Sequence, residues 1–140
     1  MKLNCKGLPT DIRPQLYLYM CSYKFIKTIN SDKEFNKAYP NLKYEILKIL
    51  SKTDLVVKTR NELKCIKLRS DNLIYFTVKE TKTLSFLRHL RNAIAHDNII
   101  YNTDLHSYII HDYDKGNLTA IGQMSEDKLN TLIKLLIKTL

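Results

Sequence analysis

The sequence predicts an all-α fold, a mainly helical bundle with a small β-hairpin before the C-terminal helix. Apolar residues recur at spacings of three and four in several segments, which is the periodicity of an amphipathic helix. The 140 residues include only three glycines and three prolines, so few positions interrupt a helix. A chain of this length with 44% hydrophobic residues has enough apolar surface for one core. We therefore expect a single domain over residues 1–140.

The first two predicted helices are identified by their N-terminal caps. Asp11 caps a helix that has Pro14 in its first turn and runs to about Ile29. Residues 31–34, Ser-Asp-Lys-Glu, have the Ser-x-x-Glu form of a capping box. They open a short second helix, which Pro40 stops.

A third helix and a mixed segment follow. The third helix ends near Thr53, and its apolar positions are Leu42, Ile46, Ile49 and Leu50. Within residues 55–80, the segments 55–57 and 73–78 have the β-branched and aromatic content of strands. Residues 62–68 between them have a helical pattern instead. This part of the chain is therefore predicted to be mixed in structure.

The clearest helical pattern lies between Thr81 and about Asp97. On a helical wheel at about 100° per residue, one side is apolar and consists of Phe86, Leu87, Leu90, Ala93 and Ile94. The opposite side is polar and consists of Ser85, Arg88, His89, Asn92 and His96. Arg91 lies near the edge of the apolar stripe.

The last third of the chain predicts a β-hairpin and a closing helix. Residues 114–117, Asp-Lys-Gly-Asn, have the composition of a turn between two β-branched segments, so we expect a hairpin over about 107–121. Ser125 then caps the final helix, and the negative charges of Glu126 and Asp127 in its first turn interact favourably with the helix dipole. The buried stripe of this helix is predicted to consist of Leu129, Leu132, Ile133 and Leu136.

The net charge favours a polyanionic partner. Lys and Arg number 23 and Asp and Glu 14, which gives a net charge of +9, and the surplus lies within residues 1–70. Such a surface attracts RNA, because phosphate neutralisation and counterion release dominate nucleic-acid affinity. An AT-rich coding bias, which enriches lysine, would produce the same surface without any ligand. Charge alone leaves both interpretations open.

The cysteines and the hydropathy pattern predict a cytoplasmic protein. Cys5, Cys21 and Cys65 are an odd number without the spacing of metal ligands, as expected of reduced thiols in the cytosol. No uncharged stretch is as long as a membrane-spanning helix, and the N-terminus lacks the apolar core of a signal peptide. No metal site is predicted, since His106 and His111 would lie on opposite faces of a strand.

Asn92 and His96 are one helical turn apart on the same face, which suits a catalytic pair. The amide of Asn92 can bond one ring nitrogen of His96, so that the other nitrogen is available for proton transfer. Cleavage of RNA by its own 2′-hydroxyl needs proton transfers, and it needs a cation such as the Arg91 guanidinium for the charge on phosphorus. A single helix places Arg91 and His96 about 140° apart around its axis. Two such helices that face each other across a dimer axis would bring both pairs to a shared cleft.

The segment 91–96, Arg-Asn-Ala-Ile-Ala-His, resembles the Arg-Asn-x-x-x-His signature of the HEPN superfamily. The longer run 86–96 looks like small bacterial and plasmid-borne HEPN families, in which a short β-hairpin and a closing helix follow the motif. The resemblance implies an α-helical bundle that dimerises. It also implies a metal-independent endoribonuclease without a cofactor, which leaves 2′,3′-cyclic phosphate ends. Arg91, Asn92 and His96 match the motif positions one for one and would be the catalytic residues.

The neighbours of the motif carry two further expectations. Arg88 and His89 are candidates for RNA binding, although a solvated helix face explains them equally well. Many members of the superfamily have a glycine directly after the motif histidine, where this chain has Asp97. The next residue, Asn98, is then expected to be the left-handed residue that closes the helix.

The resemblance leaves an alternative to catalysis. Some HEPN proteins have lost nuclease activity, so a catalytically inactive interaction module, antitoxin-like or an RNA-binding scaffold, is the second hypothesis. By analogy, the setting of an active protein is a toxin–antitoxin or anti-phage defence system. The partners expected there are RNA, a second copy of the chain, and an antitoxin or a nucleotidyltransferase-type protein, but no membrane.

Overall fold

The computed structural model describes residues 31–67, 72–79 and 81–139, so the helix predicted for residues 11–29 lies outside the described residues. The first described elements are the two predicted helices α1 (Asp32–Ala38) and α2 (Leu42–Ile49), of which α2 ends four residues before the predicted end near Thr53. The Ser31 hydroxyl accepts a hydrogen bond from the backbone N–H of Glu34, which confirms it as the N-cap of α1.

A five-stranded mixed sheet forms the centre of the described structure, so the prediction of an all-α bundle is wrong. Its strands are β1 (Asp54–Val57), β2 (Leu73–Phe76), β3 (Ile99–Asn102), β4 (Ser107–Asp114) and β5 (Asn117–Ser125). They are arranged in the order β1-β2-β5-β4-β3, with β1 and β2 parallel and the other neighbours antiparallel. The predicted hairpin is present as β4 and β5, and its two outer edges are extended by β2 and β3.

The turn of the hairpin has the backbone that its composition predicts. Lys115 and Gly116 both have positive φ angles, of 50° and 83°, which matches the right-handed twist of the flanking strands. Further along β5, Gly122 pairs with Ile74 of β2. A Cβ atom at Gly122 would lie 2.5 Å from Cγ1 of Ile74, so only glycine allows this close approach of the two strands.

The mixed character predicted for residues 55–80 is confirmed. Helix α3 (Arg60–Leu63) lies between β1 and β2 and is shorter than the helical pattern of residues 62–68 indicated. Its start is fixed by a capping box, in which the side chain of Thr59 and that of Glu62 each accept a hydrogen bond from the other's backbone N–H. The capping box therefore fixes the first residue of α3 at Arg60, two residues before the start of the helical pattern at residue 62.

Two long helices complete the fold, α4 (Lys82–Ala95) and α5 (Glu126–Thr139). Both predicted apolar stripes are buried, and that of α5 is fully inaccessible, with Leu129, Leu132, Ile133 and Leu136 at 0% exposure. Helix α5 packs against α2, whereas α4 packs against β4 and β2. No helix in the described ranges is long and apolar enough to cross a bilayer. The apolar face of α4 packs in the core with residues of the sheet, and His89 and Asn92 of its polar face bond to Asp112 of β4.

Candidate functional site

A cavity of about 450 Å³ lies where the polar face of α4 meets the sheet. Helix α4 contributes Arg88, His89, Asn92 and His96 to its lining, and β4 contributes residues 112–114. All five residues of the predicted polar face line this cavity, and so do four of the five candidate site residues, the exception being Arg91.

His89 is held at both ring nitrogens by acceptors of the protein. Its Nδ1 lies 2.7 Å from Oδ2 of Asp112, and its Nε2 lies 2.7 Å from the backbone carbonyl oxygen of Thr77. A carbonyl oxygen only accepts hydrogen bonds, so Nε2 carries a hydrogen. The 2.7 Å contact with Asp112 engages Nδ1 as well, so the protein holds both ring nitrogens. A phosphate would have to displace one of these acceptors in order to bind His89.

Asp112 is the residue of the site that the sequence analysis missed. Its side chain is only 4% exposed, and its Oδ2 accepts from His89 and, at 3.4 Å, from the Asn92 amide. Its Oδ1 is buried without a hydrogen-bond partner among the described residues. A signal was present in the sequence, because Tyr108, Ile110 and Asp112 alternate along β4 and the first two are core residues. An acid at the third inward position of such a strand indicates a buried, paired carboxylate.

Asn92 has different partners from those that the helical wheel suggested. Its Nδ2 donates to Asp112, and its Oδ1 accepts from Nη1 of Arg91 at 3.3 Å. Among the described residues, the amide of Asn92 therefore bonds to Asp112 and Arg91 and not, as expected, to His96. The wheel considered one helix alone, whereas the carboxylate that takes the Asn92 amide comes from a strand 20 residues later.

His96 occupies the C-terminal end of α4, at the rim of the cavity. It is the C-cap residue, and its side chain is exposed. The helix closes with a Schellman motif, in which the backbone N–H of Asp97 donates to Ile94 and that of Asn98 donates to Ala93. Asp97, with a φ of 60°, is the left-handed residue, so the assignment of that conformation to Asn98 is wrong. The glycine expected after the histidine would occupy this same left-handed position.

Arg91 does not line the cavity, although the other two motif residues do. It is half-buried, and its guanidinium donates to Oδ1 of Asn92. This placement agrees with the wide angle that the helical wheel gives between Arg91 and His96. Within one chain, the structure therefore brings Asn92 and His96 to the cavity and leaves the arginine beside it.

The mouth of the cavity carries basic side chains from α3, from α4 and from the segment that follows β2. Arg60, Lys79 and Arg88 contribute to its lining. Arg60 is also paired with Asp114 at 2.6 Å, and the hydrogen bond from its guanidinium holds the pKa of the Asp114 carboxyl below its ordinary value. In the part of the chain that the structure describes, no group of three or more His, Cys, Asp or Glu side chains is placed to hold a metal ion. The lining thus combines three basic side chains with the carboxylates of Asp112 and Asp114.

One protein family matches this chain over almost all of its length. The family is described as HEPN pEK499 p136, and its model matches residues 12–140. Comparison with curated proteins and with solved structures finds no significant match. The matched range contains every described helix and strand and the entire cavity lining.

Proposed function

The chain belongs to the HEPN pEK499 p136 family, and from this membership we propose that it is a metal-independent endoribonuclease. The single observation that carries the proposal is the joint placement of Asn92 and His96 in one cavity with basic side chains at its mouth. RNA is the substrate that fits this combination, because phosphates are attracted to the basic mouth and an imidazole at the rim can transfer protons.

The proposed reaction uses the 2′-hydroxyl of the RNA as the nucleophile. His96 takes part in the proton transfers, by accepting the hydroxyl proton or by donating one to the leaving 5′ oxygen. The P–O bond to that 5′ oxygen breaks as the 2′ oxygen bonds to phosphorus, which leaves a 2′,3′-cyclic phosphate. Arg91 neutralises the charge that builds on the phosphoryl oxygens. Asn92 orients the guanidinium of Arg91, whose Nη1 donates to its Oδ1.

A homodimer completes the proposed site. Because Arg91 lies beside the cavity rather than in it, one chain supplies His96 without a guanidinium in the same cleft. Two α4 helices around a two-fold axis would place the partner's Arg91 opposite His96. The site is therefore proposed to be composite, with an imidazole from one protomer and a guanidinium from the other.

Cleavage of mixed RNA in the presence of EDTA tests the activity. We expect the wild-type protein to cleave RNA in the chelator, and the variants His96→Ala and Arg91→Ala to lose about 100-fold or more of the rate. His106→Ala is the matched control, because His106 is 77% exposed and lies outside the cavity lining. Alanine variants that cleave as fast as the parent would disprove the assignment of the site.

A catalytically inactive interaction module is the second candidate. The observation that favours it is the Asn92 amide, which is committed to Asp112 and leaves His96 exposed without that support. Such a module would act as an antitoxin-like partner or as an RNA-binding scaffold. An active enzyme would instead act as a toxin or in anti-phage defence, and its partner would be an antitoxin or a nucleotidyltransferase. Induced expression in a bacterial host separates the two, since only an active ribonuclease slows growth in a manner that His96→Ala abolishes.

A further inference from the structure

We propose that Asp112, paired with His89, is a positioning residue that sets the orientation of Asn92 and, through it, of Arg91. The inference rests on the proposed function, because it assigns a role within the same site. It concerns two residues that lie outside the Arg-Asn-x-x-x-His motif. Its basis is a continuous series of hydrogen bonds that runs from the carbonyl of Thr77, just after β2, through α4 and β4 to the motif arginine.

The Asp112 carboxylate is the point where two donors of α4 converge. His89 donates to Oδ2 over 2.7 Å and Asn92 donates to the same atom over 3.4 Å. The two residues are three positions apart, so they lie on one face of the helix and a single carboxylate holds a full turn. The rotation of α4 relative to β4 is thereby fixed at the turn that carries the motif asparagine.

A carboxylate also decides which way the Asn92 amide is turned. The amide has an NH2 donor on one side and an oxygen acceptor on the other, and an ionised carboxylate only accepts. Asp112 therefore draws the NH2 group towards β4. The Oδ1 atom then faces away from the strand, where it accepts from Nη1 of Arg91 over 3.3 Å. If the amide turned over, a donor would face the guanidinium and this hydrogen bond would be lost.

His89 makes the buried carboxylate tolerable. Asp112 is 4% exposed, and an ionised carboxylate at that depth is costly unless it is paired with a positive charge. His89 is the partner that pairs with this carboxylate, with Nδ1 2.7 Å from Oδ2, and its Nε2–H is anchored on the carbonyl oxygen of Thr77. Both nitrogens of His89 are thus committed to the protein, so His89 holds the carboxylate in place and does not act in proton transfer.

An NMR comparison tests the positioning role without relying on cleavage. We expect Asp112→Asn to shift the side-chain signals of both Asn92 and Arg91, because an amide at position 112 can present either its oxygen or its NH2 group and so no longer fixes the direction of Asn92. His89→Phe keeps most of the ring volume, removes both ring nitrogens, and is expected to shift the same two signals. The matched controls are Asp104→Asn and His106→Phe, at exposed residues of the β3–β4 turn. Arg91 signals that stay unchanged in Asp112→Asn while those of Asn92 move would overturn the inference.

A double-mutant cycle then measures the role in cleavage. Asp112→Asn is expected to lower kcat by about 10- to 100-fold and to change KM by less than about threefold. In an Asn92→Ala background the same substitution should have almost no further effect on kcat, since it acts through Asn92. An equal loss in both backgrounds would assign Asp112 a merely structural role. A wild-type protein without any cleavage would refute the proposed function, whereas the NMR comparison would still decide the positioning role.

Discussion

At the scale of single residues, Asp97 is a position where the chain accepts conformational strain. It has a φ of 60° at the end of α4, and this left-handed conformation costs an ordinary residue about 1–2 kcal/mol. The strain is tolerated because the Schellman motif around it satisfies the last carbonyl groups of the helix. The same turn sets where the exposed His96 lies on the rim of the cavity.

Asp97→Gly is expected to stabilise the protein by about 1 kcal/mol, because glycine adopts the left-handed conformation without strain. Denaturant unfolding measures the gain as a higher midpoint with an unchanged slope. Asp97→Asn is the matched control for the loss of negative charge, and Asp97→Ala controls for the Cβ atom, which it retains. A gain of equal size in Asp97→Ala would show that the backbone conformation is not the cause.

Residue-scale prediction from sequence succeeded where one helix determines the outcome. The wheel correctly placed Asn92 and His96 on a shared face, since that relation depends only on the helical repeat. It could not find Asp112, which lies 23 residues after His89 and meets it only when α4 packs on β4. The partner of Asn92 was missed for the same reason.

At the scale of elements, Gly122 controls how closely β2 and β5 approach. Gly122→Ala is expected to destabilise the protein by about 1–3 kcal/mol, because its Cβ would lie 2.8 Å from the backbone Cα of Ile74. Thermal unfolding measures the loss as a lower Tm. Gly116→Ala, where a Cβ meets no atom within 4 Å, is the comparison for the effect of backbone conformation alone. A Tm equal to that of the parent would contradict the close packing of these strands.

The elements that the sequence predicted well are those with a long regular pattern. Helices α4 and α5 each have 14 residues, enough for the apolar stripe to repeat several times. Strands β1 and β2 have four residues each, and such short apolar runs do not indicate which strands they will pair with. Strand β1 pairs with β2, and β2 with β5, which begins more than 40 residues later in the chain. The sheet, and with it the correct fold class, was therefore beyond what periodicity could supply.

At the scale of the whole molecule, the proposed composite site makes a quantitative prediction. Equal amounts of the Arg91→Ala and His96→Ala proteins are mixed after reversible dissociation, so that half of the dimers that form contain one chain of each variant. Each mixed dimer has one intact site of its two, so we expect about a quarter of the wild-type activity to return. Cleavage assays before and after mixing measure the recovery. His96→Ala mixed with itself is the control, and a mixture that stays inactive would show that Arg91 and His96 act within one chain.

The hairpin tip next to the cavity has a consequence for how this site can diversify. Tyr113 and Asp114 form part of the cavity wall, and the exposed turn at Lys115 and Gly116 follows them directly. Hairpin turns accept insertions and deletions more readily than the strands they connect. Evolution can therefore lengthen or shorten this wall, and so alter which molecules gain entry, while the motif helix and the hydrophobic interior stay as they are.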